Sequence, residues 1–188
     1  RSLGNRMSMS VSAAAEAASY SAKSARMNDE DLVGMLAGDE RSLATVRALL
    51  APLCNRIFDC GGVPNALRMK LAVNHYLIVT VAALGEAFNA ARAAGVDVAL
   101  LKSVLDAGPM ASDVSRLKLD KLVRGDLAAQ ASVHDAGKIA VLALEQAEAG
   151  GSSAPLLARA VELYRVAERA GWGALDMIAA TCAPELRE

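Results

Sequence analysis

From Asp31 to Gly38 the chain reads DLVGMLAG, a short apolar run closed by Gly38 and Asp39, which is the pattern of a buried strand. Glu40 to Ala51 then repeats apolar residues at helical spacing (Leu43, Val46, Leu49, Leu50) until Pro52 closes it, and RIFDC from Arg56 gives a second short strand. This strand, helix, strand unit is too small to hold a sheet unaided. Gly61, Gly62 and Pro64 break the chain, and Asn65 is placed to N-cap the next helix. From Ala66 to Ala94 only Gly85 interrupts a helical pattern, which ends with Gly95 in the C′ position. A helix that long and apolar on almost every side needs other helices around it, so it is expected to be the spine of a bundle.

Gly and Pro punctuate the remainder at helix-length intervals. Helices are expected at Val98 to Ala107, Ala111 to Val123, about Ala129 to Ala149 and Leu156 to Ala170, with a short one after Gly173. Pro155 suits a first helical turn. No internal repeat is evident, and no β pattern recurs after Cys60. The expected fold is mainly α: a bundle of about six helices around one long central helix, preceded by a small α/β remnant. The expected divisions are a poorly defined segment over 1–30, the strand-helix-strand unit over 31–62, and an all-helical domain over 63–188.

Composition narrows this picture. The chain is 54% hydrophobic but only 3% aromatic, so its interior must come from Ala, Leu, Val and Met, which favours closely packed helices. Twenty basic and 21 acidic residues give a net charge of -1, so no global field draws the chain to nucleic acid or to an anionic membrane. Leu71 to Leu84, the longest apolar stretch, is broken by Asn74 and His75 and reads as a buried helix rather than a bilayer span. Cys54, Cys60 and Cys182 have no CxxC spacing and are odd in number, which argues against a disulfide framework or a zinc site and for a reducing cytoplasm. The first 27 residues, rich in Ser and Ala with Glu16 as their single acid, would suit a transit peptide or the remainder of a truncated domain; the second is preferred.

No GxGxxG, GxxxxGK[ST] or HExxH occurs, and two histidines, His75 and His134, are too few for a His-based metal site, so no metal is expected. Lys70 and Asn74 stand four apart, so both leave one face of the long helix near its most apolar stretch. An unpaired ammonium or amide is expensive to bury there. A lysine so held is suited to proton transfer, and the amide to orienting a hydroxyl. From spacing alone the bland alternative leads: Lys70 snorkels to water, and Asn74 bonds a neighbouring helix.

The whole segment from Gly61 to Asn74, two glycines, a helix start, then Lys70 and Asn74, resembles the catalytic helix of the β-hydroxyacid dehydrogenases. That family includes 3-hydroxyisobutyrate dehydrogenase and tartronate semialdehyde reductase and is related to 6-phosphogluconate dehydrogenase. The resemblance continues in order. Phe88 to Asp97 looks like the end of that helix, and Gly125-Asp126-Leu127 followed by Lys138 to Ala143 is similar to the family's GDF and KDLxLA segments, with Leu127 for Phe and Ile139 for Asp. Pro155-Leu156-Leu157, Glu162-Leu163-Tyr164 and Gly171 to Asp176 match its closing pattern, and Leu32 to Asp39 with Ile57 to Gly61 look like the last two strands of its Rossmann domain.

The resemblance implies an NAD(P)-dependent oxidoreductase acting on a small 3-hydroxy acid. It makes Lys70 the general acid/base, Asn74 the holder of the substrate oxygen or carboxylate, and Lys138 the lysine that reaches NAD or NADP from the helical domain. For Lys138 a solvated surface role competes, since Ile139 replaces the usual Asp; His134, one turn earlier, reads as a helix-surface or packing residue that could line the same cleft. The family's Ser-Gly-Gly substrate loop would fall at Ser19 to Met27, where SYSAKSARM stands, and its phosphate-binding glycines have no counterpart. The competing expectation is a non-catalytic helical association module. Under both, a homodimer is expected.

Overall fold

The computed structural model describes residues 32–183, so the expectations for 1–30 and for Ser19 to Met27 lie outside the described residues. The chain divides into two compact units, with the division between Ala72 and Val73.

In the first unit β1 (Val33–Leu36), α1 (Glu40–Leu50) and β2 (Arg56–Asp59) keep the expected order. The two strands pair in parallel, from Val33 opposite Arg56 to Leu36 opposite Asp59. Asp39 caps α1, its carboxylate accepting from the Ser42 amide at 3.0 Å and the Ser42 hydroxyl at 2.8 Å. The strands are less buried than their apolar pattern suggested. β1 buries Gly34 and Leu36, but β2 buries nothing and Phe58 is half exposed, because among the described residues the sheet has two strands and each has one neighbour.

The long helix, α2 (Asn65–Ala93), runs through the division. Asn65 is its first residue rather than its cap. The Asn65 amide closes a turn onto the Gly62 carbonyl, and Pro64 offers the carbonyl that takes the first helical bond, from Arg68. The buried positions of α2 are Leu71, Asn74, Ile78, Val81, Gly85 and Phe88, alternately three and four apart, so they form one seam. Met69, Val73 and Tyr76, on the opposite side, are exposed although apolar. By length and composition α2 could also cross a membrane, a test that the broken run Leu71 to Leu84 was not expected to pass.

The second unit adds α3 (Val98–Ala107), α4 (Asp113–Arg124), α5 (Val133–Ala149), α6 (Pro155–Arg169) and a closing 3-10 helix (Met177–Cys182), a mainly helical fold as expected. Each start has a physical reason. Asp97 caps α3 through the Ala99 and Leu100 amides, Ser112 and Ser115 form a reciprocal capping box on α4, Ser132 caps α5 through Asp135, and Pro155 opens α6. Ala140, Ala143, Ala160 and Ala167 are fully buried on α5 and α6, and Gly137 lies against Tyr164, so small side chains let these two helices pack closely.

One boundary differs. Helix α5 begins at Val133, not near Ala129, because the preceding residues pair in extended form: Ala128 bridges Leu175, and Ser132 bridges Asp176. These long-range bonds override the helical preference of Leu127-Ala128-Ala129.

Candidate functional site

Asn74 is 6% exposed and lies within the seam of α2, so its amide is a polar group set among Leu71, Ile78 and Val81 along that face. Lys70 precedes it by one turn and is half-buried. Both belong to one helix; Lys70 falls in the first compact unit and Asn74 in the second.

Lys138 stands elsewhere, in the second turn of α5, and is exposed. Its neighbour Ile139 is half-buried, so the departure from the Lys-Asp pair puts an apolar side chain where an acid would be. One turn earlier His134 is exposed, with Nδ1 3.0 Å from Glu168 Oε1 on α6. With Ser132, Gly171, Gly173 and Ala174 these two line a shallow, open depression.

Sequence reasoning missed the most heavily buried charges. Lys118 Nζ donates to both carboxylate oxygens of Asp176, at 2.7 and 2.9 Å, with side chains 6% and 0% exposed. Burial pushes the Lys118 ammonium below the ordinary lysine value, against the opposing pull of Asp176. Asp176 accepts two further bonds, from the Gln130 amide at 3.0 Å and the Ile178 amide at 3.2 Å. One turn along α4, Lys121 Nζ donates to the Ala128 carbonyl at 2.5 Å. A signal existed in the pattern: Lys118 falls with Ser115 and Leu119 at helical spacing, on the face that α4 buries.

Among the described residues no group of three or more His, Cys, Asp or Glu side chains could hold a metal ion. A dinucleotide's pyrophosphate needs open amides at a helix start. The turn from β1 into α1 does not fit it, because Asp39 already occupies the Ser42 amide and Glu40 adds a second negative charge. In the helical unit Lys138 presents an exposed side chain.

Several known proteins are similar to this chain. The cytokine-like nuclear factor N-PAC of Anopheles gambiae is 26% identical over 145 residues, which are 77% of this chain and 26% of the mosquito protein. The chloroplastic glyoxylate/succinic semialdehyde reductase 2 of Arabidopsis thaliana is 28% identical over 143 residues, 76% of this chain and 40% of its own length. A structure of Mycobacterium tuberculosis 3-hydroxyisobutyrate dehydrogenase with L-serine superposes with a TM-score of 0.71 and 26% identity, over 85% of this chain and 56% of that one. The chain thus spans between about a quarter and about half of the relatives it matches. Residues 65–182 match the family model described as NAD-binding of NADP-dependent 3-hydroxyisobutyrate dehydrogenase, and the chain therefore belongs to that family of β-hydroxyacid dehydrogenases.

Proposed function

We propose that this chain carries the helical catalytic and dimerisation half of an NAD(P)-dependent oxidoreductase that acts on a small 3-hydroxy acid, in a cytoplasmic setting. The observation that carries this reading is Asn74 buried in the seam of a helix that also bears Lys70 one turn earlier, inside a segment matching the family model. Lys70 exchanges a proton with the substrate hydroxyl, and Asn74 donates from its amide to the substrate oxygen or carboxylate. Lys138 reaches the cofactor from α5. NAD or NADP, when bound, accepts or supplies the hydride. The mycobacterial relative with L-serine, itself a 3-hydroxy acid by carbon skeleton, supports that substrate class. The strand-helix-strand unit is read as the end of a Rossmann-type domain, with residues 63–188 as the substrate and dimerisation domain.

The direct test is turnover by the full-length protein with 3-hydroxy acids. Lys70→Ala is expected to lower kcat by about 100-fold or more, the usual scale of general acid/base catalysis. Unchanged turnover in that variant would sink the reading.

A second reading, a helical association module without catalysis, is favoured by Ile139 beside Lys138, where the family pattern has Asp. Calorimetric titration with NADPH and NADH separates the two. Micromolar binding by the full-length protein supports the oxidoreductase, and no heat with either nucleotide supports the module.

A further inference from the structure

The buried charges Lys118, Lys121 and Asp176 converge on one piece of backbone, residues 127–132, that leads into α5. On one side Asp176 takes the Gln130 amide through Oδ2, and its own amide donates to the Leu127 carbonyl at 2.9 Å. Met177 donates to the Ala131 carbonyl at 2.7 Å. On the other side Lys121 holds the Ala128 carbonyl. The first amides of α5 are held in the same way, Val133 by the Leu175 carbonyl at 2.8 Å and His134 by the Gly173 carbonyl at 3.0 Å. The helix start is thus tied by backbone and side chain together, with a charge pair at the centre of the knot.

Such an arrangement is more than hydrophobic packing requires. A buried ion pair contributes little net stability compared with apolar side chains of the same shape, because desolvation offsets the attraction. What it does supply is direction, since each donor and acceptor must meet within a few tenths of an ångström. Lys138 lies on α5 a turn and a half beyond its start. Shifting or rotating the strap would carry that ammonium with it.

We infer that Lys118, Asp176 and Lys121 are positioning residues, which fix residues 127–132 so that α5 presents Lys138 to the cofactor. This rests on the cofactor-facing role of Lys138 proposed above. Removing the pair weakens cofactor binding by displacing Lys138, so its effect disappears once Lys138 is gone. A pair that merely stabilises the fold has no reason to behave so, and its effect adds to that of Lys138.

The experiment is a fluorescence titration of NADPH and NADH against the full-length protein. Its variants are Lys138→Ala, the neutral pair Lys118→Met with Asp176→Asn, and all three together. The neutral pair removes both partners of the ion pair together, so neither Lys118 nor Asp176 is left as an unpaired buried charge. Near-UV circular dichroism checks folding, and Lys121→Met, which spares the ion pair, replaces the neutral pair if that variant does not fold. Expected are Kd values raised about tenfold by Lys138→Ala and by the neutral pair, and no further rise in the triple variant. Additive losses, or an unchanged Kd in the folded neutral pair, would overturn the inference alone. An unchanged Kd in Lys138→Ala, or no binding by the parent protein, would overturn the underlying reading and the inference with it.

Discussion

Gly85 on α2 and Thr181 in the closing 3-10 helix approach so closely that a Cβ at position 85 would lie 2.1 Å from Thr181 Oγ1 and 2.7 Å from Thr181 Cβ. Asn89, one turn on, fastens the same contact by donating to the Thr181 carbonyl at 2.6 Å. Alanine in a helix interior ordinarily gains about 1 kcal/mol over glycine. Here the added methyl forces two elements apart, an overpacking cost of about 1–3 kcal/mol or more. Gly85→Ala is therefore expected to lower the thermal unfolding midpoint despite its better helix propensity. Adding Thr181→Ala relieves only part of the loss, because Thr181 Cβ itself is in the way.

The sequence showed Gly85 as an interruption and could not show what it faced, because its neighbour is almost a hundred residues away. The same division runs through the molecule. Helices ended by local chemistry were legible: Gly95 and Gly125 adopt positive φ as terminators, and Pro155 opens α6. The start of α5 was not, since the helical pattern reads from about Ala129, whereas Leu175, Asp176 and Met177 bond the residues before Val133 as extended chain. At the candidate site Lys70 and Asn74 were found through a chain-long resemblance rather than through spacing. Lys118 escaped notice because a lysine in a helix ordinarily reads as surface, and only its partner across 58 residues makes burial tolerable.

Lys118→Met strands the fully buried Asp176 carboxylate and is expected to cost about 3–5 kcal/mol in a denaturant titration. The neutral pair Lys118→Met with Asp176→Asn should lose distinctly less. The pH dependence has a defined sign. Burial holds the folded-state value of Lys118 below 10.5, so at alkaline pH between that value and 10.5 the unfolded chain keeps a proton that the folded chain has released. Across that window this group adds stability as pH rises. Unfolding free energies of the parent and the neutral pair should diverge in the parent's favour there, and a parallel course would contradict the assignment.

Asp39 makes the opposite kind of pH prediction. The Ser42 amide and hydroxyl hold its carboxyl below 3.8, so its contribution to the start of α1 is fully present above 3.8 and is lost as pH falls through the folded-state value. In an NMR titration the Ser42 amide resonance should report an acid transition below 3.8. Asp39→Asn should abolish that transition while leaving α1 in place, since asparagine caps nearly as well.

The exposed apolar side of α2 bears on the proposed dimer. Met69, Val73 and Tyr76 recur at four and three residues, so they form a stripe, and they are 48%, 52% and 75% exposed. Chance exposure of single apolar residues is ordinary, but a stripe on one helix face would suit contact with another helix. In the proposed homodimer a second copy of α2 would cover it, the same stripe facing itself across a two-fold axis. Placing a carboxylate in the stripe would bring two like charges together at such an axis, and burying them would be costly. Val73→Glu and Tyr76→Glu are therefore each expected to convert a dimer to a monomer in size-exclusion chromatography with light scattering, with helical circular dichroism unchanged. A parent protein that elutes as a stable monomer, or glutamate variants that remain dimeric, would place the association surface elsewhere or remove it.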